Sequence, residues 1–316
     1  MLLAGRGFQE RMDPTSRRGR IARRLRGKGN APGYLLLLPS FLLLALVIGV
    51  PTVDAFIISV KRVSLLGGTE PFAGITNYTS VVQNAQFWRV VRTTVIWTTA
   101  NVGAQMVVGT CLAVWLNSTR RVDRVLRSIS LLPWAVPSVV AATAWRFLYD
   151  PSDGFIDKVL LHLHLISQPV VWLGQLDTAL PSVIVESIWK GTPFVMVIVL
   201  AGLQTVPAEL YEAATLDGAN AFQRLVKVVL PSIRTTIALA TLLTIAYSVN
   251  NFNAIWLMTR GGPLETTQIL FTWGYEIGFV DFNLGQAAAL SVMLFFILLV
   301  VAVVYFLVRE RAGAES

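Results

Sequence analysis

Two sets of side chains in this sequence could grip a polar solute without reacting with it. Thr241, Thr244, Ser248 and Asn251 are spaced three, four and three apart, which aligns their hydroxyl and amide groups along one helical face. Ser187, Lys190, Gly191 and Phe194 share a second face, with Glu186 one turn from Lys190. Neutral hydroxyls and amides can donate to and accept from sugar hydroxyls, and rings such as Trp189, Trp256 and Phe194 offer flat apolar surfaces. The same residues have a second reading. Ser, Thr and Asn hydrogen-bond between membrane helices, Glu186 and Lys190 at i,i+4 neutralise one another, and Trp at a span end anchors a helix at the interface.

Covalent and metal chemistry find little support. The only histidines, His162 and His164, have no neighbouring Cys and no His-Glu-x-x-His pattern, so a metal site is not expected. The single Cys111 lies in an apolar segment, where it reads as a small buried hydrophobe and forms no intrachain disulfide. Asp54 reads as interfacial. No Gly-x-x-x-x-Gly-Lys-Ser/Thr loop is present, so the chain has no recognisable means of holding ATP phosphates and no cofactor is expected on it.

The elements that must carry these side chains are membrane spans. The 316 residues are 54% hydrophobic and 14% charged, against about a quarter charged in ordinary soluble domains. Six stretches approach the roughly 20 residues needed to cross the hydrocarbon core: 34–60, 90–116, 126–148, 181–205, 233–257 and 286–308. The expected fold is an all-α membrane protein, with a basic segment 1–33, a six-span domain 34–308 and a tail 309–316. Pro133 and Pro137 interrupt the third span, whose freed carbonyls neighbours must satisfy.

Arg6, Arg11, Arg17, Arg18, Arg20, Arg23, Arg24, Arg26 and Lys28 precede the first span against only Glu10 and Asp13, so the positive-inside rule places the N-terminus in the cytoplasm. Arg120, Arg121, Arg124 and Arg127 then fall inside, as do Arg224, Lys227, Arg234 and the C-terminus, while the 149–180 loop falls outside. The basic segment lacks interleaved aromatics, which argues against nucleic acid as a partner and for anionic lipid headgroups.

Between the fourth and fifth spans lies a polar island, 206–232. Pro207 suits a helix start, Glu209 and Glu212 favour its positive end, and Ala213 and Ala214 propagate it. Gly218 can take a positive φ and turn the chain into a second amphipathic helix that Pro231 closes. Composition alone leaves an ordinary loop equally open. The spacing, however, from Glu212-Ala213-Ala214 through Gly218 to Val228-Val229-Leu230-Pro231, resembles the Glu-Ala-Ala coupling loop of ABC importer permeases, many of which carry Ile where Val228 stands. Asn250-Asn251-Phe252, Leu257 to Pro263 and Phe279 to Ala289 further resemble carbohydrate permeases of the maltose and glycerol-phosphate group.

That resemblance implies a MetI-like importer permease fold and an assembly: a second permease, two copies of a cytoplasmic ATPase that binds ATP and magnesium, and an external sugar-binding protein, all at a bacterial plasma membrane. It implies that Glu212, Ala213, Ala214, Asp217, Gly218, Leu230 and Pro231 couple to the ATPase, so that the chain itself is no enzyme. Sugar contacts of the maltose permease, carried over residue by residue, fall on Ser187, Gly191, Phe194, Thr244, Ser248 and Asn251, several with a different residue type. The external loops 61–89, 149–180 and 258–285 would receive the binding protein, or be ordinary loops. The maltose permease's extra N-terminal spans and large external domain have no counterpart in this sequence. A proton- or ion-coupled secondary transporter is the other class considered; it should show midplane carboxylates and inverted repeats of broken helices, which are not found.

Overall fold

The computed structural model describes residues 31–118 and 123–314. The basic residues before 31, together with Arg120 and Arg121, lie outside the described residues. The chain divides into two units at Asp54–Ala55.

In the first unit, α1 (Ala31–Leu44) passes through a π turn, Ala45–Gly49, into α2, which begins at Val50 and runs on to Ser59. The π turn ends two residues before Pro51. A proline ring clashes with the carbonyl four residues back, here Val47 inside the widened turn, so the wider winding accommodates it.

The second unit opens with a feature absent from an all-α expectation, a small antiparallel hairpin of β1 (Lys61–Ser64) and β2 (Gly68–Phe72). Asn77 on α3 (Thr76–Gln83) clamps its start, donating from Nδ2 to the carbonyls of Ser59 and Lys61, both at 2.8 Å. The unit's long axis is α4 (Ala85–Ser118), packed along α8 (Ala179–Leu203). Between them run α5 (Asp123–Ala135), α6 (Ser138–Leu148) and α7 (Phe155–His162). After α8 come α9 (Ala208–Leu216), α10 (Ala221–Arg224), a π turn Leu225–Val229, α11 (Leu230–Ser232), α12 (Arg234–Val249), α13 (Phe252–Met258) and α14 (Leu270–Tyr275). A third π turn, Glu276–Val280, then leads to α15 (Leu284–Ala314).

Among the described residues four helices are long and apolar enough to cross a membrane, and six if each of two bent pairs is one span. The first bent pair is the expected third span, which turns through 90° between Ala135 and Ser138. The second turns through 75° at Ile233, joining Ala221–Ser232 to Arg234–Met258. Two expectations are corrected here. Pro231 does not close the second helix of the polar island; α11 carries it, because the π turn just before it contains Lys227, the carbonyl that the ring would strike. The fifth span is not one continuous helix either. It breaks again at Asn250–Asn251, where the Asn251 side chain accepts from Ala254 N and starts α13.

Close approach of α4 and α8 depends on glycine. A Cβ on Gly109 would lie 2.8 Å from Val195 Cβ, and one on Gly191 would lie 2.4 Å from Gln105 Oε1. Beyond them, Ala113, Leu116, Val199 and Leu203 form an apolar cluster with Val229 and Ile233. We expect Gly109→Leu to cost about 1–3 kcal/mol through overpacking. Gly103→Leu, with open space around its Cβ, should stay within about 0.5 kcal/mol of the parent. Thermal unfolding of the two variants in detergent checks the contrast.

Candidate functional site

The polar island folds as a self-supporting elbow. Pro207 caps the start of α9, with Glu209 in the first turn. At the other end Gly218 takes φ +79°; its N–H donates to Thr215 O at 3.1 Å and Ala219 N–H donates to Ala214 O at 3.0 Å. This pair of bonds is the Schellman termination, which requires a left-handed residue after the cap. The chain restarts at once through a reciprocal capping box: Gln223 N donates to Asn220 Oδ1 at 2.9 Å and Asn220 N donates to Gln223 Oε1 at 3.0 Å. Arg224 then reaches back to Thr215 Oγ1 at 2.6 Å, tying the two arms together.

One side of the elbow is rooted and the other is open. Tyr211, Leu225 and Leu230 pack on the apolar cluster of α4 and α8, and burial pushes the Tyr211 phenol pKa up. Ala214 is buried as well, whereas Glu212, Ala213, Asp217, Gly218 and Pro231 are exposed. The two alanines of the motif therefore face differently, one toward the chain's own interior. Sequence reasoning missed Leu216 and Phe222, which flank the glycine at 88% and 72% exposure. A cleft of about 360 Å³, lined by Asn117, Leu203, Tyr211, Arg224 and Leu225 among others, opens beside the elbow.

The second candidate region is a buried polar seam among α4, α8 and α12. Ser187, Gly191, Thr244 and Ser248 are all buried there, while Phe194, Thr241 and Asn251 are half-buried. Asn251 Nδ2 donates to Ser187 Oγ at 3.3 Å, so the structure brings the two stripes together. From α4, Gln105 Nε2 donates to Ser187 O at 3.1 Å, and Trp97 Nε1 donates to Ser248 O at 2.9 Å. Thr244 Oγ1 donates back to Ala240 O at 2.7 Å, and Ser248 Oγ has no hydrogen-bond partner. Trp97 and Gln105 were missed from sequence because nothing local marks them as partners of Ser248 and Ser187 on other helices, while Asn101 bonds Trp97 and Gln105 of its own helix.

Aromatic and loop candidates are placed as follows. Trp189 meets Trp145 edge-on with centroids 5.8 Å apart, and Trp256 stacks on Phe252 at 5.4 Å. In the 149–180 loop, Asp157 is buried and accepts from Trp172 Nε1 at 2.7 Å and Val170 N at 3.0 Å, which makes it a structural residue. Backbone N–H groups of Asp153 and Ser152 hold the Asp150 carboxyl below the usual range. His164 takes φ 58° at the turn after α7.

Comparison with known proteins adds the family. Residues 105–312 match the family described as "Binding-protein-dependent transport system inner membrane component". A probable ABC transporter permease protein of Brucella suis biovar 1 is 36% identical over 88% of this chain and 96% of its own length. The trehalose/maltose transport system permease protein MalF of Thermococcus litoralis is 33% identical over 86% of this chain and 92% of its own. Among solved structures, one chain of a bacterial ABC transporter involved in import of the acidic polysaccharide alginate superposes with a TM-score of 0.77. It is 22% identical and covers 93% of this chain and 99% of that one, a likeness of fold. The matched segment takes in α8, the elbow, the bent fifth span and most of α15, so the chain belongs to the family of binding-protein-dependent transport system inner membrane components, the permeases of ABC transporters.

Proposed function

We propose that this chain is one half of the pore of an ATP-driven importer for a carbohydrate, and that its elbow seats in a separate cytoplasmic ATPase. The observation that carries this reading is the elbow itself. It is doubly capped, rooted by Tyr211 and Leu230 in the α4–α8 core, and presents Glu212, Leu216, Asp217 and Phe222 outward. An exposed pair of large apolar residues on a preorganised turn suits insertion into a protein groove.

In this reading the N- and C-termini and the elbow lie in the cytoplasm, two ATPase copies hold ATP and magnesium, and a second permease completes the pore. An external binding protein delivers the solute to the opposite side. The Thermococcus relative, a trehalose/maltose permease by name, supports a carbohydrate cargo. So does a seam of neutral hydroxyl and amide groups with an unpartnered Ser248 Oγ. The seam's contacts in this arrangement join helices to one another, so a sugar would meet Ser187, Gly191, Phe194, Thr244, Ser248 and Asn251 in a more open one. Closing of the ATPase pair would pull the elbow and, through α8 and α12, change which side of the seam is open.

A Cβ on Gly218 would meet nothing within 4 Å in this chain, so within the chain substitutions there change only backbone conformation, and comparing Val with the similarly sized Asn separates that from contact with the ATPase groove. Gly218→Val, forced to a positive φ at a cost of about 1–2 kcal/mol, should reduce ATP-driven uptake with the protein still in the membrane. Gly218→Asn, which tolerates that φ, should retain more uptake. Equal uptake by Val and wild-type chains at equal abundance would contradict the coupling role.

Leu216→Asp or Phe222→Asp should weaken ATPase retention in detergent by at least about thirtyfold, the equivalent of the ~2 kcal/mol of an interface anchor. Retention at the parent level would show that the elbow docks elsewhere. Binding of mono- and disaccharides to the cognate external receptor, followed by uptake of whichever binds, identifies the cargo. A receptor that binds only amino acids or ions would overturn the carbohydrate assignment.

A further inference from the structure

Glu186 is a buried carboxylate on α8, 1% exposed, and its Oε2 accepts from no group. Buried polar groups are overwhelmingly partnered, so an orphaned carboxylate oxygen calls for an explanation. One turn along the same helix lies Lys190, also buried, and its ammonium does not reach back to that oxygen. Its Nζ donates instead to the Val136 carbonyl, at the 90° break between α5 and α6. The break exists because Pro137 leaves the helix in an extended conformation with ψ 139°, and α6 restarts only at Ser138. Glu186 and Lys190 nonetheless interact electrostatically.

We propose that Lys190 and Glu186 are positioning residues for transport: Lys190 exchanges the Val136 carbonyl for the Glu186 carboxylate when the break in the third span changes angle, so the pair sets which of two arrangements that span holds. This rests on the importer reading, in which the helices around the seam move. Three features make the exchange workable. The lysine stem is flexible and carries three donors, and the two acceptors lie on different elements, one on α8 itself and one on the broken span. The ammonium keeps a partner in both arrangements, while the Glu186 carboxylate and the Val136 carbonyl each have it in only one. Two discrete packings with different hydrogen-bond partners form the kind of bistable element that conformational cycles use. Ser187, beside Glu186, is bonded to Gln105 and Asn251, so a change in how α8 is held reaches the seam directly.

The test uses the full chain in its native membrane complex, with Cys111→Ser as background and spin labels on Ile129→Cys and Val140→Cys. Both positions are exposed, one on each side of the break. Distances are measured with and without Mg-ATP, alongside uptake. The exchange predicts two distances in the parent, with proportions that shift on adding Mg-ATP. Glu186→Gln, which in this arrangement disturbs no hydrogen bond, should collapse the pair to one distance and cut uptake about tenfold. Lys190→Met should broaden the distribution, since it frees Val136. Parent-like distances and uptake in Glu186→Gln would overturn the proposal. So would a single, unchanging distance in parent vesicles that take up solute, a result that leaves the importer reading standing; parent vesicles without ATP-driven uptake would count against that reading itself.

Discussion

In a hydrocarbon slab every backbone group released from a helix must be answered by another protein group, because water is not there to answer it. This chain interrupts its helices at Pro137, bends at Ile233, whose N–H and carbonyl stay bonded to Val229 and Ile237, and interrupts them again at Asn250–Asn251. Each break is met by something specific. Lys190 donates to the Val136 carbonyl at the first, and the Asn251 side chain accepts from Ala254 N at the third. Upstream of the second, a π turn accommodates Pro231.

The same constraint explains why the polar seam is where it is. Trp97 donates to the Ser248 carbonyl and Gln105 to the Ser187 carbonyl, so α4 holds both helices that flank the elbow. Gly109 and Gly191 let α4 come close enough to do so. The elbow is rooted in the apolar cluster at one end of these helices, through Tyr211, Leu225 and Leu230. In the proposed function a displacement of the elbow would be applied to α8 and α12 together, with α4 bonded to both. In that function, this geometry would offer a grip for a motor subunit at one end and a seam of hydrogen-bonding groups along the helices that flank it.

Much of the elbow was legible in the sequence because its determinants are local. Pro207, Glu209 and Gly218 act within a turn of where they stand, and the spacing to Leu230-Pro231 is what resembles the importer permeases. The capping box of Asn220 and Gln223 is equally local. Long-range partners were not legible. Trp97 and Gln105 look like incidental polar residues in an apolar helix, and only packing shows what they bond. The hairpin at 61–72 was missed because a short strand pair in a polar connection carries little periodicity. Helix continuation through Pro231 was missed because a π turn hides the clash that normally ends a helix. Leu216 and Phe222 are exposed on the elbow, which the proposed function reads as contact surface for the ATPase.

The central claim is that the elbow faces the cytoplasm and sits inside a nucleotide-driven subunit. A photoreactive amino acid placed at position 216 in the intact membrane complex tests it most directly. The account predicts a light-dependent adduct with a cytoplasmic ATPase subunit, with a yield that changes on adding nucleotide. An adduct with an external protein, or with lipid alone in a transport-competent complex, would contradict it.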